Sequence, residues 1–181
     1  MNRTKHRALG LKKGSVMLAG YSKEWPALFR AERKLLKSKL GKLPIRISHV
    51  GSTAVPGLCA KPILDIMLEV RSLEKAEKAA TRFKNCGYRQ KTRDEDPIPG
   101  RIFFSKDIDG LRCFHLHVTE VGSTFSLGHM RFRNILRKDL KVAGAYARLK
   151  RRLARKFPNN RNAYIDGKAK FISSVLNKLK A

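Results

Sequence analysis

The stretch HVGSTAVPGLCAKPILDIMLEV, residues 49–70, decides the fold. Its last eight residues, Ile63 to Val70, are apolar apart from two carboxylates and free of Gly and Pro, which predicts a strand. Strand alternation puts Leu64, Ile66, Leu68 and Val70 on one face, the core, and Ile63, Asp65, Met67 and Glu69 on the other. Upstream, Gly51, Pro56, Gly57 and Pro62 force a loop or a short helical turn. Two carboxylates opposite the core, on a strand entered from a Gly-Ser loop, match what a divalent cation and a phosphate require. The cation takes hard oxygen ligands and the phosphate takes backbone N–H groups. The plain alternative is a half-exposed strand with ordinary acidic residues. Asp65 and Glu69 lie about 13 Å apart along an extended strand, too far to share one ion, and Asp65 is the one beside the loop.

Working outward, Ile45 and Ile47 alternate with Arg46 and Ser48 in a strand that leads into the loop. Val16 to Ala19 is predicted as a short strand. Ser22 is the expected N-cap of a helix from about Lys23 to Leu40, closed by Gly41, with Trp25, Leu28, Phe29, Leu35, Leu36 and Leu40 near helical spacing. Beyond Val70, a helix over Leu73 to Asn85 ends at Gly87, and a strand near Tyr88 precedes the acidic loop TRDEDPIPG. Ile102 to Lys106 and Leu111 to Thr119 then form a hairpin about Asp109-Gly110. The last third of the chain is helical, broken near Pro158 to Arg161. Mixed strands and helices followed by an all-helical section predict an α+β fold. Residues 1–15 are expected to form a basic N-terminal arm and residues 16–181 a single domain.

Charge is the unusual quantity. With 41 Lys and Arg against 14 Asp and Glu, the 181 residues carry +27. Residues 1–50 hold +11, 51–100 hold +2, 101–130 hold 0 and 131–181 hold +14. Basicity at both ends of a near-neutral middle favours a polyanionic partner, RNA foremost, over the alternative of a merely solvated surface. Arg148, Arg151, Arg152 and Arg155, on the basic faces of the C-terminal helices, are the expected polyanion contacts. A composition of 42% hydrophobic and 30% charged residues excludes disorder, collagen and a disulfide scaffold. No apolar run is long enough to span a membrane. Cys59, Cys86 and Cys113 are odd in number and widely spaced, which argues against a disulfide framework or zinc knuckle and fits a reducing, cytoplasmic setting. The opening MNRTKHRALGLKKGS lacks the apolar segment of a secretory signal, and a transit segment or a nucleic-acid-touching arm both stay open.

Three further constellations bear on chemistry. In LRCFHLHVTE, Cys113, His115 and His117 are expected on one strand face and Phe114, Leu116 and Val118 on the core face. Imidazoles at i and i+2 can hold one metal or phosphate between them, although two surface histidines are the commoner explanation of the pattern. His49, at another strand end, is expected to converge on the same pocket. In GHMRFRNILRKDL, His129, Arg133 and Arg137 recur at i, i+4 and i+8 as a cationic stripe suited to phosphate or RNA backbone, with Phe132, Ile135 and Leu136 on the buried side. Lys168 falls on the apolar line of Tyr164, Phe171, Val175 and Leu179, so it either snorkels past the core or points into the site.

These residues together resemble a known family. HVGSTAVPGLCAKPILDI is similar to the signature of the GrpB family (UPF0157), of the nucleotidyltransferase (DNA polymerase β-like) superfamily. The similarity continues through HLHV, FRNILR, YARLKRRLA and the set Tyr164, Lys168 and Phe171, covering about residues 17–178. The resemblance implies a nucleotidyltransferase-like mixed β-sheet flanked by helices, a helical C-terminal section, a Gly51-Ser52 phosphate loop and a site on the Asp65 strand. It also implies paired carboxylates separated by one residue, but Met67 occupies the second position. Where a third carboxylate is expected the chain offers His115 and His117, and Asn134 replaces a common Asp.

Two expectations follow from the residues and the resemblance together. The first is a nucleotidyltransferase-like protein that binds a nucleotide or other phosphorylated ligand through His49, Gly51, Ser52, Thr53, Lys61, Arg133, Arg137 and Lys168. In it, Asp65, His115 and His117 act as catalytic groups in proton transfer or hold a divalent metal, Mg, Mn or Zn. The second is a catalytically silent RNA-binding or ribosome-associated module on the same fold.

Overall fold

The computed structural model describes residues 8–178. Helix α1 (Trp25–Leu40) starts two residues later than the sequence predicts. The Glu24 N–H donates to Ser22 Oγ at 3.2 Å, and Pro26 occupies the first turn, where its missing N–H costs nothing. Strand β1 (Arg46–Val50) leads into a single 3₁₀ turn, Ser52–Ala54, and then β2 (Leu64–Val70). The predicted helix after β2 is two short ones, α2 (Leu73–Lys78) and α3 (Ala80–Lys84). Strands β3 (Arg89–Gln90), β4 (Arg101–Ile108) and β5 (Leu111–Glu120) follow. The β4–β5 turn has positive φ at both Asp109 and Gly110, the primed geometry that an Asp-Gly pair favours. Three helices complete the chain: α4 (Thr124–Lys138), α5 (Leu140–Lys156) and α6 (Arg161–Asn177). Ser123, Asp139 and Asn160 cap their N-termini through their side chains. No helix of the described residues is long and apolar enough to cross a membrane.

The sheet order is β1-β2-β5-β4-β3, with β2 and β5 parallel and the other pairs antiparallel. Leu64, Ile66, Leu68 and Val70 pack with Phe114, Leu116, Val118 and Phe104 against Trp25, Leu36 and Leu40 of α1 and Phe83 of α3. The buried Lys106–Glu32 ion pair, at 3.0 Å, also ties β4 to α1. On the other side, Tyr146, Ala147 and Leu136 of the C-terminal helices close over Val55, Leu58 and Cys59. The second face of β2 is therefore covered, not half-exposed. Met67 and Glu69 are fully buried, and only Asp65 keeps an opening to solvent, with 31% of its side chain exposed.

Three expectations change here. Lys106 pairs with Phe114 and Asp107 with Arg112, leaving Cys113 as the extra residue of a β-bulge. The bulge turns Cys113 into the core beside Phe114 and off the histidine face. The strand expected at Val16 to Ala19 is reduced to a single bridge between Ala19 and Ala60. Residues 8–15 of the expected arm are packed, with Leu9 and Leu11 buried; residues 1–7 lie outside the described residues. Residues 8–20 run as a belt across both layers. Trp25 Nε1 donates to the Ala8 carbonyl, Gly10 N–H to Pro62, Leu11 N–H to Arg112 and Val16 N–H to Pro158.

Candidate anion site

The parallel register sets Asp65 level with His115 and Met67 level with His117. His115 Nδ1 lies 3.0 Å from Asp65 Oδ1, and His117 Nε2 lies 3.8 Å from the same oxygen. Arg101 contacts His117 Nδ1 at 3.0 Å. A guanidinium only donates, so the partners assign the His117 proton to Nε2, facing Asp65. An ionised carboxylate only accepts, so the His115 proton is assigned to Nδ1, leaving the lone pair on Nε2. Burial pushes the Asp65 carboxyl up, but hydrogen bonds from His115 and His117 outweigh it and hold the group well below the ordinary carboxylate range. Burial lowers both imidazoles by more than Asp65 raises them. At neutral pH the cluster is one carboxylate with two neutral rings.

Cations surround it. Lys61 at the foot of β2 and Lys168 on α6 flank the Tyr164 ring, their Nζ atoms 5.6 and 4.4 Å from its centroid. Arg161 opens α6 and acts on both Asp65 and His115. Burial, with the charge of Lys61 beside it, takes the Lys168 amine down to about 7, against the pull of Asp65. Lys168 is half-buried, its amine resting over the same Tyr164 ring as that of Lys61. Among the described residues, none of Lys61, Lys150, Arg161 and Lys168 forms an ion pair with a carboxylate.

The loop before β2 is held from below. Lys150 on α5 donates to Ser52 Oγ at 2.9 Å and to the Cys59 carbonyl, and sits 4.8 Å over the Tyr146 ring. Burial lowers its amine to about 8. The sequence reading missed Lys150, although it lies on the buried line of Tyr146 and Leu153, the same signal that singled out Lys168. It also missed Arg161 and Arg101. Arg101 is buried, joined to Asp96 through two nitrogens and stacked between Phe103 and Phe125. The nearby acidic loop TRDEDPIPG is the one sequence feature that could have pointed to Arg101.

Several expected members stay out of the cluster. His49 is level with Ile66, so its ring lies on the core face. There it stacks on Phe29 and bonds Thr53 Oγ1 at 3.0 Å, which removes both His49 and Thr53 from the Asp65 pocket. Arg133 donates to the His49 carbonyl at 2.8 Å, and Arg137 donates to the Ala54 carbonyl at 2.9 and 2.6 Å. The expected stripe docks α4 on the loop, with Arg137 still exposed to solvent. His129 Nδ1 donates to the Phe125 carbonyl, with its ring 5.9 Å from that of His117. Glu69 accepts from Ser126 Oγ at 2.8 Å and pairs with Arg46, also at 2.8 Å, as a structural anchor. Arg148, Arg151, Arg152 and Arg155 do share one exposed face of α5, with Lys156, around a shallow open depression. Arg30, Arg33, Lys34 and Lys37 line a similar one on α1.

The donor set does not fit a two-metal centre. One carboxylate already has two imidazoles beside it, the next residue on that face of β2 is the fully buried Met67, and the surroundings are cationic. Among the described residues no group of three or more His, Cys, Asp or Glu side chains is arranged to hold a metal ion.

Fold and site together define an α+β protein with one mixed five-stranded sheet, helices on both faces and a carboxylate–imidazole cluster ringed by cations. The chain belongs to the GrpB family, whose profile, described as GrpB protein, matches residues 15–178. The glutamate-rich protein GrpB of Alkalihalophilus pseudofirmus is 37% identical over 175 residues, 94% of this chain and 99% of that one. Its name does not suit this chain, with 41 Lys and Arg against 14 acids. The crystal structure of conserved protein GrpB from Enterococcus faecalis superposes with a TM-score of 0.80 at 31% identity, covering 90% of this chain and 96% of that one. A more distant likeness, TM-score 0.41 at 12% identity over 73% of this chain and 45% of the other, is to the Cid1 poly(U) polymerase.

Proposed function

We propose that this protein binds a phosphate-bearing small molecule, such as a nucleotide, in the cleft over Asp65. Lys61, Arg161 and Lys168 meet the phosphate, while Asp65, His115 and His117 handle protons. One observation carries the reading: the half-buried Lys61 and Lys168 meet over the Tyr164 ring, with the more exposed Arg161 at the start of α6, near a single carboxylate, and none of the three has another acidic partner among the described residues. Desolvated charge is costly unless paired, and a multiply charged phosphate supplies the missing counter-charge. Ser52 and Gly51 shape the floor of the cleft, with Lys150 holding Ser52.

Calorimetry with inorganic phosphate, pyrophosphate, ATP and adenosine, each with and without Mg, Mn or Zn, tests this. Phosphate-bearing probes should bind and adenosine should not. Lys61→Ala and Lys168→Ala should each weaken the phosphate-bearing probes by about ten- to a hundredfold, the ~1.5–3 kcal/mol of a charged hydrogen bond. Absence of binding by all of the probes overturns the proposal, and a strict metal requirement would restore a metal-dependent version of it.

A second reading, RNA binding, is favoured by a separate observation. The arginines of α5 share one exposed face and have no acidic partner among the described residues.

A further inference from the structure

We infer that His115 is a nucleophile that accepts a phosphoryl group on Nε2, with Asp65 as its positioning residue. The inference rests on the phosphate-binding reading above and adds a reaction to it. Asp65 holds Nδ1, and among the described residues Nε2 has no hydrogen-bond partner. Lys61 and Arg161 are close enough to act on the ring's charge, so an incoming phosphate and this lone pair are drawn to one place.

The other described histidines do not combine these features. His117 has one nitrogen on Arg101 and the other directed at Asp65. His129 gives Nδ1 to a backbone carbonyl and neighbours His117, not Lys61. His49 lies on the opposite face of the sheet, bonded to Thr53. A neutral imidazole attacks without first losing a proton. It therefore needs no metal-activated hydroxyl, which suits a site with Met67 where a second carboxylate would stand.

The step balances without a redox partner. The Nε2 lone pair forms a P–N bond while the P–O bond to the leaving group breaks and its electron pair departs on that oxygen, opposite Lys61 and Lys168. The Nδ1 proton stays between ring and Asp65, whose charge offsets that of the phosphorylated ring. Water or an acceptor hydroxyl then attacks phosphorus, its proton passes to bulk water, and the P–N electrons return to Nε2.

Phosphoramidate, a small donor that phosphorylates imidazoles directly, is the probe, with adducts mapped by peptide mass spectrometry at alkaline pH. His115 should label about tenfold faster than His49, His117 and His129, and Asp65→Asn should slow it by about ten- to a hundredfold while Asp65→Glu recovers part of the rate. His115→Gln should lose the label while its far-UV circular dichroism and cooperative urea unfolding stay those of the unchanged protein, which guards against a folding defect. No adduct at His115, or labelling spread evenly over the histidines, overturns the inference. If phosphate binds under those conditions the binding proposal survives alone, and if it does not, both fall.

Discussion

Gly51 and Asp65 are in such close contact that any side chain at position 51 would overlap Asp65 Oδ2, and the backbone of Gly51 stands at a φ of 70. The turn that ends β1 and the carboxylate of β2 are thus one unit. A displaced loop moves the charge, and through it both imidazoles.

Gly51→Ala should therefore do more than strain the backbone. Gly57 offers the control, since it too has positive φ but nothing lies within 4 Å of a Cβ placed there. Gly57→Ala should cost about 1 kcal/mol in urea unfolding, and Gly51→Ala about 2–3 kcal/mol. Only the latter should shift the His115 and His117 ring resonances. Equal costs and unmoved resonances would mean that the contact is slack.

Two of the lysines with lowered amines, Lys150 and Lys168, give opposite pH trends for stability and binding. Lys168 titrates at about 7 and Lys150 at about 8 in the folded chain, driven down chiefly by burial, against about 10.4 when unfolded. Between these values the unfolded state holds more protons, so ligand-free stability should rise from about pH 7 to about pH 10, by at most about 1.4 kcal/mol per pH unit for each lysine. Phosphate affinity should fall over the same range as the amines discharge. Lys168→Met should remove the lower limb of both curves, and parallel curves would exclude Lys168 from the site.

Asp65 and Glu69 should separate cleanly. Glu69→Gln should lower stability by about 1–3 kcal/mol, because it weakens a buried anchor to Arg46 and Ser126, and leave phosphate affinity unchanged. Asp65→Asn removes a negative charge from among cations. Metal-free phosphate affinity should hold or increase, and the ring resonance of His115 should shift as its Nδ1 loses a carboxylate partner. Calorimetry and NMR on the two variants decide, and loss of phosphate binding in Glu69→Gln would place the site at the wrong end of β2.

The α5 face makes a prediction of its own. Replacing Arg148, Arg151, Arg152 and Arg155 with Gln should flatten the salt dependence of RNA binding by about 0.7–0.9 in the log–log slope for each phosphate that is no longer neutralised. Filter binding across a salt series measures it. An unaltered slope assigns any RNA affinity to another face.

The Lys106–Glu32 pair is buried at both ends. Lys106→Met should cost about 3–5 kcal/mol by stranding the Glu32 carboxylate, whereas Lys106→Met with Glu32→Leu should recover most of it. Thermal or urea unfolding of both variants checks this.

Much of this arrangement was legible in the chain. Alternation in Leu64 to Val70 and in Phe114 to Val118 set Asp65, His115 and His117 off the core, and two adjacent parallel strands then bring His115 to 3.0 Å and His117 to 3.8 Å from Asp65. His49 was legible too and was misassigned, since it is two residues from core Ile47 and so shares its face. Cys113 escaped because a bulge arises from strand pairing, which alternation within one strand cannot register. The carbonyl partners of Arg133 and Arg137 were not legible, because guanidinium donors suit a carbonyl as well as a phosphate and only tertiary docking supplies the first. That Lys61 and Lys168 have no acidic partner among the described residues is a property of the folded surroundings and has no counterpart in the sequence.

The belt of residues 8–20 has a consequence for how the domain closes. Gly10 and Leu11 bond to Pro62 and Arg112, and Val16 bonds to Pro158, in the turn between α5 and α6. The segment is thus tied to partners from about 50 to more than 140 residues away, and it has no complete docking site until the sheet and the α5–α6 turn are both in place. Contacts of such long sequence separation form slowly, which makes docking of this belt a late step of folding.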